Sequence, residues 1–126
     1  MRFNIFPPEG LSSIEPKFHV DTRLIQKTIE RELGKKPLAG LYSIDGVGAP
    51  IPVSLLDVVK GLLVMKPETK PEGGFTSLIG GQRIVVMCGE SGKMQFLAAN
   101  LRLNEAGNLV CPMPADLILK IGRAHV

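Results

Sequence analysis

Apolar positions follow two rhythms along the chain, a helical one in the first half and an alternating one in the second. Between Asp21 and Leu33 they recur every three or four residues. Ile25, Ile29 and Leu33, with Leu24 beside them, form a stripe, and Arg23, Gln26, Lys27, Glu30 and Arg31 fill the opposite side. That period predicts an amphipathic helix. Asp21 stands where a carboxylate accepts the free amides of the first turn, Gly34 closes the far end, and Pro37 blocks continuation. Leu38 to Ile44 then reads as a strand ended by Asp45-Gly46, and Val47-Gly48-Ala49-Pro50-Ile51-Pro52 is too rich in proline for regular structure. Ser54 and Asp57 have the spacing of a capping box, which predicts a second helix over about 55 to 64. Its apolar residues, Leu55, Leu56, Val58, Val59, Leu62, Leu63 and Val64, are spread nearly all round it, so it needs cover from the sheet or from another subunit.

The polar segment Lys66 to Gly74, with two prolines and two glycines, divides the chain. Strands are expected after it at about 75 to 79, 82 to 88, 93 to 103 and 108 to 111. Gly80-Gly81, Gly89-Glu90-Ser91-Gly92 and Asn104-Glu105-Ala106-Gly107 supply the turns. Arg83-Ile84-Val85-Val86-Met87 is apolar almost throughout, as a central strand is, and Leu97, Ala99, Leu101 and Leu103 are assigned to one strand face. Residues 2 to 6 alternate ahead of Pro7-Pro8 and read as a short edge strand, with residues 9 to 17 as loop. Pro114 and Asp116 can open a terminal helix through Leu117-Ile118-Leu119. Helices in one half and a meander in the other predict a single α+β domain over residues 1 to 120, a mostly antiparallel sheet of about four to six strands with two to three helices packed on one face.

Residues 121 to 126, Ile-Gly-Arg-Ala-His-Val, have the form of a translated sequencing adapter and read as a non-native tail, which points to environmental DNA as the source. Setting that tail aside leaves His19 as the one histidine and lowers the formal charge from +3 to +2. The 44% hydrophobic content suits an ordinary globular interior, built mainly from Leu, Ile, Val and Met because the chain has no Trp and one Tyr. Charge that small and that scattered argues against a dedicated nucleic-acid protein. No apolar run is long enough for a membrane-spanning helix, and two cysteines, Cys88 and Cys111, without a signal peptide suggest buried thiols in a reducing cytoplasm. A disulfide between them requires neighbouring strands.

Reactive groups are few and isolated. Cys88-Gly89-Glu90-Ser91-Gly92-Lys93 ends like a phosphate-binding loop, but Met87 stands where the first glycine belongs and Met94 where a hydroxyl should hold magnesium, so a hairpin turn is expected there. Gly46-Val47-Gly48 begins a dinucleotide fingerprint that Ile51 fails to complete, and Pro50 and Pro52 remove amides that would meet a pyrophosphate. The loop still offers Asp45, Gly46 and Gly48 as a contact surface. Cys88 as nucleophile with His19 as base is the enzyme alternative, without any signature around either residue. Two cysteines and one histidine lack zinc-ligand spacing, and no carboxylate pair stands out among Asp45, Asp57, Glu90, Glu105 and Asp116.

These observations favour a small protein that acts by binding another protein or a second copy of itself, with neither catalytic centre nor cofactor. A phage or mobile-element accessory, including an inhibitor of host defence, is the setting that environmental origin suggests. The alternative is a nucleic-acid-binding accessory in which Arg23, Lys27, Arg31, Lys35 and Lys36 of the first helix track phosphates. Aromatic residues for stacking bases are missing from that region, and Phe96, the one candidate platform, is expected in the core.

Overall fold

Lys60 and Gly61 decide the fold of the segment that reads as a second helix. Both have positive φ, 52° and 77°, the geometry of a tight two-residue hairpin turn. Strand β2 (Ile51–Val59) runs into this turn and β3 (Leu62–Pro67) returns from it, with Val59 opposite Leu62 and Val58 opposite Leu63. The expected helix over 55 to 64 is therefore two strands. Ser54 Oγ bonds the Glu68 carboxylate instead of capping a helix, and the Asp57 carboxylate accepts the amide of Val58 at 2.8 Å. Pro52 lies inside β2 opposite Gly40, so the proline-rich stretch enters regular structure earlier than its composition suggests.

The structure, a computed structural model, describes residues 19–34, 37–44, 49–69, 78–89 and 92–120. One helix is found among these residues: a short 3-10 turn, Thr22–Leu24, continues into α1 (Ile25–Leu33). Asp21 starts it as expected, its carboxylate accepting the Arg23 amide at 2.9 Å while its carbonyl accepts that of Leu24. Gly34 ends it in ordinary right-handed conformation. Ile25 and Ile29 are buried, but Leu24 is exposed. The remaining strands are β1 (Leu38–Tyr42), β4 (Arg83–Gly89), β5 (Gly92–Ala98), β6 (Arg102–Leu103), β7 (Leu109–Pro112) and β8 (Leu117–Lys120).

All eight strands form one antiparallel sheet in the order β6-β7-β3-β2-β1-β4-β5-β8. This overturns the α+β expectation of four to six strands with two to three helices, and the division into a helical half and a strand half. The expected terminal helix is β8, and Leu78 and Ile79, assigned to a strand, belong to a turn. The expected edge strand at residues 2 to 6 and the loop at 9 to 17 lie outside the described residues. The long strand from 93 to 103 is broken at Asn100, whose φ of 51° leaves the extended region; β5 ends before it and β6 begins after it. Asn is among the few residues that tolerate this conformation.

Short connectors force the sheet to close. Strands β5 and β6 stand six positions apart, about 29 Å on a flat sheet, but the chain from Ala98 to Arg102 reaches at most about 14 Å. The link from Pro112 on β7 to Leu117 on β8 crosses the same six positions with a reach of about 18 Å. The sheet must curl until its two ends meet. Its concave side holds one core, in which Leu41, Val53, Leu55, Leu63, Met65, Val85, Met87, Phe96, Leu109 and Leu117 are packed with Ile25 and Ile29 of α1. Phe96 is core, as expected. Within β5, Met94, Phe96 and Ala98 point inward, while Leu97 joins Tyr42, Ile84 and Val86 in a second cluster on the opposite side of the sheet; the single face assigned to Leu97, Ala99, Leu101 and Leu103 is broken, since Leu101 packs in the first core. With apolar contacts on both faces, β4 is the central strand that its composition suggests, lying between β1 and β5.

Substituting Gly61 tests the hairpin assignment, because a Cβ there has open space and only the positive φ opposes it. Gly61→Val should lower the unfolding free energy by about 1–2 kcal/mol, read from urea denaturation. Lys60→Asn, a residue at home in the left-handed region, should not lower it.

Candidate functional site

Closure leaves a concavity where the two ends of the sheet meet. It has a volume of about 310 Å³ and is lined by Leu97 of β5, Ala99 and Asn100 of the β5–β6 connector, Met113 and Pro114 of the β7–β8 connector, and Ile118 of β8, among others. Asn100 places the first connector through its left-handed turn, and Pro112 and Pro114 stiffen the second. The walls are mainly apolar. Asp116 contributes the one carboxylate among the described lining residues, where it holds His19: Nδ1 of the imidazole lies 2.9 Å from Oδ1 and 3.0 Å from Oδ2. With its proton on Nδ1, the ring donates to the carboxylate. The same approach is tied through the backbone, since the Val20 amide donates to the Leu117 carbonyl at 2.8 Å and His19 bridges Ile118. A recess with apolar walls and an acid at its edge suits an apolar or cationic group and disfavours a phosphate.

The residues singled out from sequence are not gathered into one place. Arg23 in the 3-10 turn and Lys27 and Arg31 on α1 lie exposed, four residues apart. Asp21 holds the guanidinium of Arg23 at 3.0 Å, which raises the pKa of the arginine and lowers that of the aspartate through their hydrogen bonds. Lys35, Lys36, Asp45, Gly46 and Gly48 lie outside the described residues.

The thiol-enzyme arrangement is not assembled. Register places Cys88 opposite Lys93 and Lys93 opposite Lys120, whereas His19 pairs beyond β8 at Ile118. Three strand spacings, about 14 Å, separate their backbones. Strand β4 ends at Gly89 and β5 begins at Gly92, and the two pair antiparallel with Gly89 opposite Gly92; Glu90 and Ser91 of the segment ending like a phosphate-binding loop lie outside the described residues. Among the described residues no group of three or more His, Cys, Asp or Glu is placed to hold a metal.

Sequence reasoning missed the seam. Its lining comes from two connectors far apart in the chain, and the available signal was weak: an Asn at a strand break, and two prolines between short strands.

Cys111, opposite Leu63 on β7, is a free thiol within the core. Burial pushes its pKa up to about 12 from the ordinary 9.0. The thiolate is the form that burial penalises, so the stabilisation is complete below the ordinary thiol range and is lost as pH rises from about 9 toward 12. Urea-unfolding midpoints should therefore fall more steeply over that interval for the unaltered protein than for Cys111→Ala. In the folded protein at neutral pH, iodoacetamide should leave Cys111 unmodified.

With this geometry in hand, the fold has known counterparts. No protein-family model matches the sequence, and no curated protein matches it. Two solved structures share its fold. The YcgR-N domain of YcgR from Escherichia coli superposes with a TM-score of 0.73 at 14% identity, over 86% of this chain and 100% of that one. YcgR from Escherichia coli in complex with c-di-GMP superposes with a TM-score of 0.74 at 16% identity, over 90% of this chain and 50% of that one. The chain thus spans the length of the YcgR-N domain and half of that longer YcgR chain. At such identities the likeness is one of fold.

Proposed function

We propose that this chain is a non-catalytic binding module of the YcgR-N kind, working within a protein that responds to c-di-GMP. The observation carrying the proposal is the fold match over the whole of YcgR-N, together with a match to half of a YcgR chain that holds c-di-GMP. The likeness is to a protein of Escherichia coli that binds c-di-GMP, so the phage or mobile-element setting is not carried forward. The seam supports a role in contact with protein: it is apolar and carries an acid, whereas a cyclic dinucleotide with two phosphates calls for converging guanidinium or ammonium groups. On this reading the module binds through protein surfaces, and its neighbour in the longer protein supplies the nucleotide contacts.

A chimera provides the test. Residues 1–120 of this chain replace YcgR-N within Escherichia coli YcgR, and melting is followed with and without c-di-GMP. Saturating nucleotide should raise the melting temperature of the grafted module by several degrees, as coupling to a ligand at a hundredfold excess over Kd provides up to about 2.7 kcal/mol. The isolated chain should melt at the same temperature with or without c-di-GMP. If nucleotide leaves the grafted module melting where the isolated chain does, the reading fails.

One observation favours a second reading. The row of Arg23 in the 3-10 turn with Lys27 and Arg31 on α1 can track a phosphate backbone. That reading requires RNA or DNA affinity at low salt that weakens as salt rises, with the logarithmic slope reduced by about one for each of Lys27→Ala and Arg31→Ala. Fluorescence anisotropy that detects no binding at low salt removes it.

A further inference from the structure

The convex side of the β2-β3-β7-β6 corner is apolar in the middle and charged at its ends. Asp57 on β2 lies opposite Val64 on β3, Val64 opposite Val110 on β7, and Val110 opposite Arg102 on β6. Opposed residues of an antiparallel ladder point to the same side, and the adjacent pair Leu63–Cys111 points into the core. The row Asp57-Val64-Val110-Arg102 therefore faces outward. Beside it on the same side stand Val59 and Leu62, 46% and 40% exposed. A bulge between Leu55 and Asp57 extrudes Leu56, 43% exposed, near the acidic end.

We propose that this face binds a second copy of the chain as a two-fold dimer. An axis parallel to the strands and midway between β3 and β7 reverses the row: Asp57 meets Arg102 of the second copy, Arg102 meets its Asp57, and Val64 meets its Val110. The charge pattern selects this occupant. A uniformly acidic or basic partner gains one ion pair and suffers one repulsion, whereas a second copy gains two pairs and covers the valines between them. The row spans three strand spacings, about 14 Å, so the covered patch is a few hundred square ångströms per copy. A contact of that size is smaller than a standard interface and makes a weak, transient dimer, with a dissociation constant on the order of 0.1 mM. It requires no c-di-GMP and does not depend on the regulatory role.

Sedimentation equilibrium on the full chain, from micromolar to submillimolar concentration at low salt, reads the contact directly. The mass should rise with concentration from that of one 13.6 kDa chain toward twice that value. Asp57→Arg or Arg102→Asp alone sets like charges together at both ends and should weaken association by about tenfold or more. The double variant Asp57→Arg/Arg102→Asp restores opposite pairs and should recover most of the affinity. Leu62→Asp should hold the chain as a monomer, with circular dichroism verifying that each variant is folded. A single-chain mass across the whole range overturns the proposal. So does association that is indifferent to the single reversals and to Leu62→Asp, or a double variant no tighter than either single one.

Discussion

Two connectors too short for a flat sheet constrain everything else in this protein. Ala99–Leu101 and Met113–Asp116 each link strands that stand six positions apart in the ladder, so the eight strands have to curl until β6 and β7 approach β5 and β8. Curling gives the sheet an inside. Residues from both ends of the ladder, Leu109 and Leu117, then share one core with Phe96, and α1 contributes Ile25 and Ile29 to the same interior. The seam concavity is a by-product of the same closure, since it lies where the two ends meet and is walled by the connectors that make them meet.

The arrangement separates surfaces by chemistry. The exposed face of α1 carries basic residues, the seam is apolar with His19 and Asp116 at its edge, and the convex corner sets apolar rows between Asp57 and Arg102. His19 pairs at the outer edge of β8, three strand spacings from Cys88 on β4. The core residues that might have carried chemistry are held out of reach: Cys111 is enclosed by hydrocarbon that opposes its ionisation.

Much of the local structure was legible in the residues. Asp21 starts the helix, Ile25 and Ile29 face the interior, β1 and β4 fall where apolar runs predicted them, and the glycine pair Gly89 and Gly92 flanks a hairpin. Misreading was concentrated where both sides of a strand are apolar. Leu55 to Val64 looks like an all-round helix because alternate residues enter the core while the others cover an outer patch, leaving no period-two signal. Lys60-Gly61 is a weak hairpin signature because Lys rarely adopts the positive φ it has here. Strand β5 likewise carries apolar residues on both sides: Phe96 enters the core as expected, and Leu97 packs on the opposite face of the sheet.

The chain by itself determined what depends on neighbours a few residues away: the capped helix, the turn at Asn104–Gly107, and an interior made of aliphatic side chains. Tertiary structure alone decided the strand order, the inward face of each strand, the meeting of His19 with Asp116, and the existence of a seam. The reason is the range of the interactions. Helix caps and tight turns are settled by hydrogen bonds within a few residues, but a strand cannot pair its own backbone groups and takes its identity from the partner that does.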